Sequence, residues 1–158
     1  MWYRIFIAAA LVLLPSAGRA DDLTLPDPAL TPGAVRSTDS SEICQPGYSR
    51  SVRHTSVALK RTVYREYGVT YRHGRYEVDH LIPLGIGGAD TRENLWPQPR
   101  GSGWSAEAKD RLEWKLYRMV CHEGFDVRDL QRAIAKNWIA AYRRFCPTDK
   151  ACPEFRRG

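Results

Sequence analysis

Between Arg75 and Gln98 two short β-rich runs flank a segment that carries Gly85, Gly87 and Gly88. Arg75–Pro83 reads as one strand, Leu84–Arg92 as a loop, and Asn94–Gln98, stopped by Pro99, as a second extended piece. Glycine opens backbone conformations closed to other residues, so the loop can fold the two runs back on each other as a hairpin. The first run ends in Val78-Asp79-His80-Leu81-Ile82-Pro83, an acid and an imidazole side by side where a strand leaves the core. Neighbours on a regular strand point to opposite faces. A site that uses both side chains therefore needs the strand to bend or end at that point.

Helical periodicity surrounds the hairpin. Thr55-Ser56 offers an N-cap to a helix running to about Tyr67, with Leu59, Val63 and Tyr67 on one face and Gly68 placed to stop it. Ser105 can cap a helix to about Val120, whose apolar stripe is Ala108, Leu112, Leu116, Met119 and Val120, with Asp110, Arg111, Glu113 and Arg118 mostly outside. Asp126 opens a last helix with Val127, Leu130, Ile134, Trp138, Ala141 and Phe145 on its buried side. Asp21–Ser41, rich in Pro, Asp, Ser and Thr, is expected to be an extended, poorly ordered lead-in to a domain spanning 42–158. The order helix, strand–loop–strand, helix, helix gives an α+β class.

Met1–Ala20 has a basic start at Arg4, an apolar run from Ile5 to Leu14, and the small-residue end Ser16-Ala17-Gly18-Arg19-Ala20. That is the layout of a secretory signal peptide, and the run falls short of the roughly 20 apolar residues of a membrane span. Cleavage after Ala20 predicts a periplasmic or secreted protein. It removes two arginines and no acid from a chain of 24 basic and 18 acidic side chains, leaving a net charge of +4. Mild basicity suits a polyanionic partner without specifying one. Export also frames the four cysteines, which in an oxidising compartment read as two disulfides with three pairings open. Cys44–Cys121 as a long-range staple and Cys146–Cys152 as a local loop, with Pro147 and Pro153 breaking helix near both ends, is the favoured pairing. No Cys-x-x-Cys occurs, so no structural zinc is expected.

The imidazole of His80 has an intrinsic pKa suited to a general base near neutral pH. Asp79 offers hard oxygen to a Mg²⁺-like ion, or could orient a histidine without metal. Asn94 can bond backbone groups across the hairpin loop and so hold His80 in place. Other polar residues read more plainly. Arg53-His54 reads as a cap or exposed turn before an approach to phosphate, His73 as a solvated turn that could touch nucleic-acid backbone, and His122 as a cation at a helix C-terminus. Trp96, Trp104, Trp114 and Trp138 read as core, and Lys109, Arg111 and Lys115 as a phosphate track or a solubilising face.

Val78-Asp79-His80-Leu81-Ile82-Pro83-Leu84, then Gly87-Gly88, then Glu93-Asn94-Leu95, resembles the HNH nuclease pattern of the ββα-metal fold. Trp96-Pro97-Gln98 and Lys109-Asp110-Arg111-Leu112-Glu113 resemble a small exported bacterial subgroup of that family. The resemblance implies a ββα hairpin-plus-helix core, braced by disulfides, with additional flanking helices. It implies a metal-dependent endonuclease in which Asp79 binds the ion, His80 activates water and Asn94 secures the loop. The final metal-binding side chain of the pattern is replaced: Trp104-Ser105-Ala106 stands where relatives carry Trp-Asn-Ala. Asp110 or Glu107 would then complete a Mg²⁺ or Mn²⁺ site, with Asp110 preferred. No base-reading module accompanies the motif, so cleavage of nucleic acid, DNA before RNA, is expected with little sequence preference. The rival expectation is a non-catalytic module on the same scaffold that binds nucleic acid or an envelope partner.

Overall fold

The computed structural model describes residues 23–101, 103–148 and 150–153. The expected signal peptide, 1–20, lies outside the described residues. Short helices α1 (Ser40–Ile43) and α2 (Tyr48–Ser51) precede α3 (Val57–Glu66). In α3 the Ser56 hydroxyl accepts from the Leu59 N–H, and Gly68 follows at φ +63°, a left-handed turn that ends the helix. Then come β1 (Tyr76–His80) and β2 (Leu95–Pro99), paired antiparallel with Tyr76 opposite Pro99 and His80 opposite Leu95. Two 3₁₀ turns, Leu84–Ile86 and Arg92–Asn94, shape the connection between them. Helices α4 (Ala106–Glu123), α5 (Val127–Lys136) and α6 (Trp138–Phe145) complete an α+β fold.

The hairpin has helix on both faces. Tyr76 and Val78 pack with Tyr64 of α3 and with Val69, while Asp79 and Trp96 meet Lys109 of α4. All five stripe residues of α4 are buried, and with Leu130, Ile134 and Trp138 they form the main core. Trp96 and Trp138 are wholly enclosed; each indole contributes upward of about 3 kcal/mol of apolar burial.

Two expectations are corrected here. The last helix is two helices: Asn137, at ψ 104°, leaves helical geometry and its side chain accepts from the Ala140 N–H, a second N-cap in mid-sequence. The lead-in is extended, yet it is tied down. Leu23 and Thr24 carbonyls accept from the indole N–H groups of Trp96 (3.2 Å) and Trp138 (2.6 Å). The Thr31 hydroxyl donates to the Leu95 carbonyl at 2.8 Å, and Val35 bridges to Gly88. Enclosed indoles and loop carbonyls need partners, and this segment supplies them.

Both disulfides occur as Cys44–Cys121 and Cys146–Cys152. The first joins the end of α1 to the last turns of α4 across a sequence separation of 77. Such bonds are compatible with an extracytoplasmic protein. Among the described residues no helix is long and apolar enough to cross a membrane.

Candidate functional site

β1 stays regular through its last residue, and this decides where the acid and the imidazole go. His80 turns toward the segment that leads into α3, while Asp79 turns toward α4. The bend or end of the strand that a site using both side chains would need is not found. His80 is 3 % exposed, and each of the two residues has its own polar partners.

The partner of His80 is Asp90, at the far end of the glycine segment. His80 Nε2 lies 2.7 Å from Asp90 Oδ1. The Asp90 carboxylate also accepts from the His54 backbone N–H and the Thr55 hydroxyl. Burial acts to raise the Asp90 pKa, but these hydrogen bonds outweigh it and hold the carboxyl below its ordinary value. An ionised carboxylate only accepts, so Nε2 carries the proton and Nδ1 the lone pair. Burial pushes the His80 pKa down, further than Asp90 and Asp79 pull it up, so the ring is held toward its neutral form. A neutral imidazole with Nε2–H anchored and Nδ1 basic is the state required of a proton acceptor.

The loop behind His80 is fastened by Asn94, which is fully enclosed. The Ile82 N–H donates to Asn94 Oδ1, and Asn94 Nδ2 donates to the carbonyls of Ile82 (2.9 Å) and Ala89 (2.8 Å). Asn94 thereby closes the loop that follows His80. The glycines permit this closure, since a Cβ on Gly88 would lie 1.9 Å from the Ile82 carbonyl oxygen and one on Gly87 2.2 Å from that of Ser37.

Asp79 faces a different chemistry. Its Oδ2 lies 2.9 Å from Nζ of Lys109, a side chain with no exposed surface. The same ammonium donates to the His80 carbonyl at 2.5 Å and to Glu113, one helical turn on. Burial alone would lower the Lys109 pKa, but the Asp79 and Glu113 carboxylates outweigh it and hold it above its ordinary value. Lys109 thus belongs to neither a phosphate track nor a solubilising face. As placed, these residues do not fit a divalent ion, because an ammonium already satisfies the acids that would hold it. Among the described residues no three of His, Cys, Asp and Glu group as metal ligands.

Asp110 stands in the wall of a cleft of about 640 Å³ whose lining does not include Asp79. That cleft is also walled by Arg50, Arg53, Glu113, Trp114 and the Pro83–Gly85 turn that follows β1. Arg53 stands close enough to His80 for its charge to help depress the imidazole pKa. Glu107 instead accepts from the Gly101 N–H (3.1 Å). Ser105 is buried at the N-cap position of α4 without accepting a capping hydrogen bond. Of the four tryptophans read as core, Trp114 is the exception: it is 42 % exposed and stacks on Tyr117.

Of two residues that matter here, sequence reasoning missed Asp90 and misplaced Lys109. Asp90 had a faint signal, an acid just past Gly87-Gly88 and ten residues after His80. Lys109 had a better one: it precedes Leu112 by three and Leu116 by seven, on the buried stripe, with Glu113 four residues on.

Comparison of the chain with protein-family models, curated proteins and solved structures finds no match.

Proposed function

We propose that the chain is an exported endonuclease of HNH-like type that hydrolyses phosphodiester bonds in nucleic acid with little sequence preference. The observation that carries this reading is the His80–Asp90 pair, set at the end of β1 on a loop fastened by Asn94. His80 Nδ1 accepts a proton from the attacking water, and Asp90 keeps the ring in the tautomer that allows it and stabilises the imidazolium that results. Arg53 and Arg50 bind phosphate at the neighbouring cleft. Trp114, exposed beside them, presents a face on which an unpaired base can stack. His80 is 3 % exposed, so this reading requires that nucleic-acid binding open Nδ1 to water. The resemblance also implies Mg²⁺ or Mn²⁺, with Asp79 and Asp110 as ligands. Because Asp79 is held by Lys109, no step here is routed through an ion.

Exported nucleases of this kind act in the periplasm or outside the cell, where two disulfides persist. The test is cleavage of supercoiled plasmid and of single-stranded DNA and RNA oligonucleotides by the disulfide-bonded protein, with Mg²⁺, with Mn²⁺ and with chelator. Wild type is expected to nick the plasmid and His80→Ala to lose at least about 100-fold. Equal inertness of both proteins under all conditions contradicts the assignment.

One observation favours a second reading, a non-catalytic nucleic-acid or envelope-partner binding module on the same scaffold. The acid that should hold metal is neutralised from within by Lys109. Such a module would bind DNA equally well with and without chelator, and His80→Ala would bind as wild type does.

A further inference from the structure

We infer that the Lys109 ammonium is a built-in cation occupying the position of a divalent metal ion, so that the Asp79 cluster works without metal and becomes a metal site only when that lysine is removed. The inference concerns the cluster itself and holds whether or not the chain cuts nucleic acid.

The geometry is that of a small cation in an oxygen cage. Lys109 Nζ has three N–H donors, and it meets three oxygens: Asp79 Oδ2 (2.9 Å), the His80 carbonyl (2.5 Å) and the Glu113 carboxylate. Its donors are thereby saturated. Above it lies the Trp96 ring, 5.4 Å from Nζ to the centroid, a cation–π contact on the remaining side. These groups come from three elements: the end of β1, the middle of β2 and the first turns of α4. The ammonium therefore pins the hairpin to the helix.

Two carboxylates and one backbone carbonyl are also the hard-oxygen donors that Mg²⁺ or Mn²⁺ selects. A divalent ion placed among them would fall on Nζ, and its double charge would be repelled by the ammonium at van der Waals range. The lysine stem has no exposed surface along which to withdraw. Either cation can fill the cage, but they cannot share it.

The experiment uses the full disulfide-bonded protein and Mn²⁺ as probe, with bound ion read by electron paramagnetic resonance and thermal midpoint read in parallel. Wild type should show no Mn²⁺ retention that Asp79→Asn abolishes, and its midpoint should not move with chelator. Lys109→Ala should melt lower than wild type in chelator, retain a single Mn²⁺ per chain and regain midpoint on adding it. The double variant Lys109→Ala/Asp79→Asn should lose both effects. Retention by wild type that depends on Asp79 overturns the inference, and so does a folded Lys109→Ala protein that takes up no ion. Should Lys109→Ala fail to fold in chelator, refolding in Mn²⁺ becomes its readout, and failure to recover there counts equally against the inference. Loss of nuclease activity moves none of these readouts, so the functional proposal and this one fail separately.

Discussion

Asn94 and Ile82 exchange two hydrogen bonds through one side-chain amide: the Ile82 N–H donates to Oδ1 at 2.9 Å, and Nδ2 returns a bond to the Ile82 carbonyl at 2.9 Å. The side chain mimics a strand partner and closes the glycine loop on the residue two beyond His80. Replacing Asn94 with Ala strands an enclosed N–H and two enclosed carbonyls, and should cost roughly 2–4 kcal/mol. Urea denaturation measures this. A loss under about 0.5 kcal/mol would show that the amide carries no load at this joint.

Gly88 makes the same closure possible from the other side. A methyl group there collides with the Ile82 carbonyl oxygen at 1.9 Å, which is backbone and cannot step aside. Gly88→Ala should therefore destabilise by at least about 2 kcal/mol, while Ala at the open position Gly47 costs less, set by its positive φ alone. Thermal midpoints of the two variants give the ordering, and the reverse order would refute this account of the Gly87-Gly88 pair.

The two disulfides should differ in weight. Loop closure across a separation of 77 restrains the unfolded chain by about 4.5 kcal/mol, against about 2 kcal/mol for a separation of 6. Cys44→Ala/Cys121→Ala is expected to lower the unfolding midpoint more than Cys146→Ala/Cys152→Ala. Equal losses would mean that native packing, not chain restraint, sets their contribution.

Much of this architecture is legible in the sequence because it depends on local periodicity. The buried face of α4 and the helix end at Gly68 follow from spacing alone, whereas in α3 only Val63 of the expected face is buried and Tyr64 joins it. The break at Asn137 does not, since Ile134 and Trp138 keep helical spacing across it and periodicity is blind to a cap that preserves phase. The strap formed by 23–37 is invisible for another reason: its fastenings run through backbone carbonyls and amides, which every residue has. The motif placed Asn94 across the hairpin loop, where its amide is found. It could not show that β1 stays regular and sends Asp79 away to Lys109, because charge patterning assigns a lysine to solvent unless its stripe position is read first.

His80 gives the fold a pH signature. Burial depresses its folded pKa below the ordinary 6.5. The stability it contributes is present above the unfolded value and is lost as pH falls through the folded one. Comparing wild type with His80→Gln by urea denaturation from about pH 8 to about pH 5 isolates the histidine. Wild type should lose more stability on acidification than the variant. Parallel curves would mean that the imidazole is not held neutral.

The most direct measurement of the central claim, that the His80 imidazole is the proton acceptor in phosphodiester cleavage, is chemical rescue of His80→Ala. Added imidazole should restore plasmid nicking to His80→Ala in a dose-dependent way, with no gain for wild type, and Asp90→Asn should cleave more slowly than wild type but faster than unrescued His80→Ala. Cleavage by His80→Ala at the wild-type rate without imidazole, or no cleavage by wild type with either Mg²⁺, Mn²⁺ or chelator, would contradict the account.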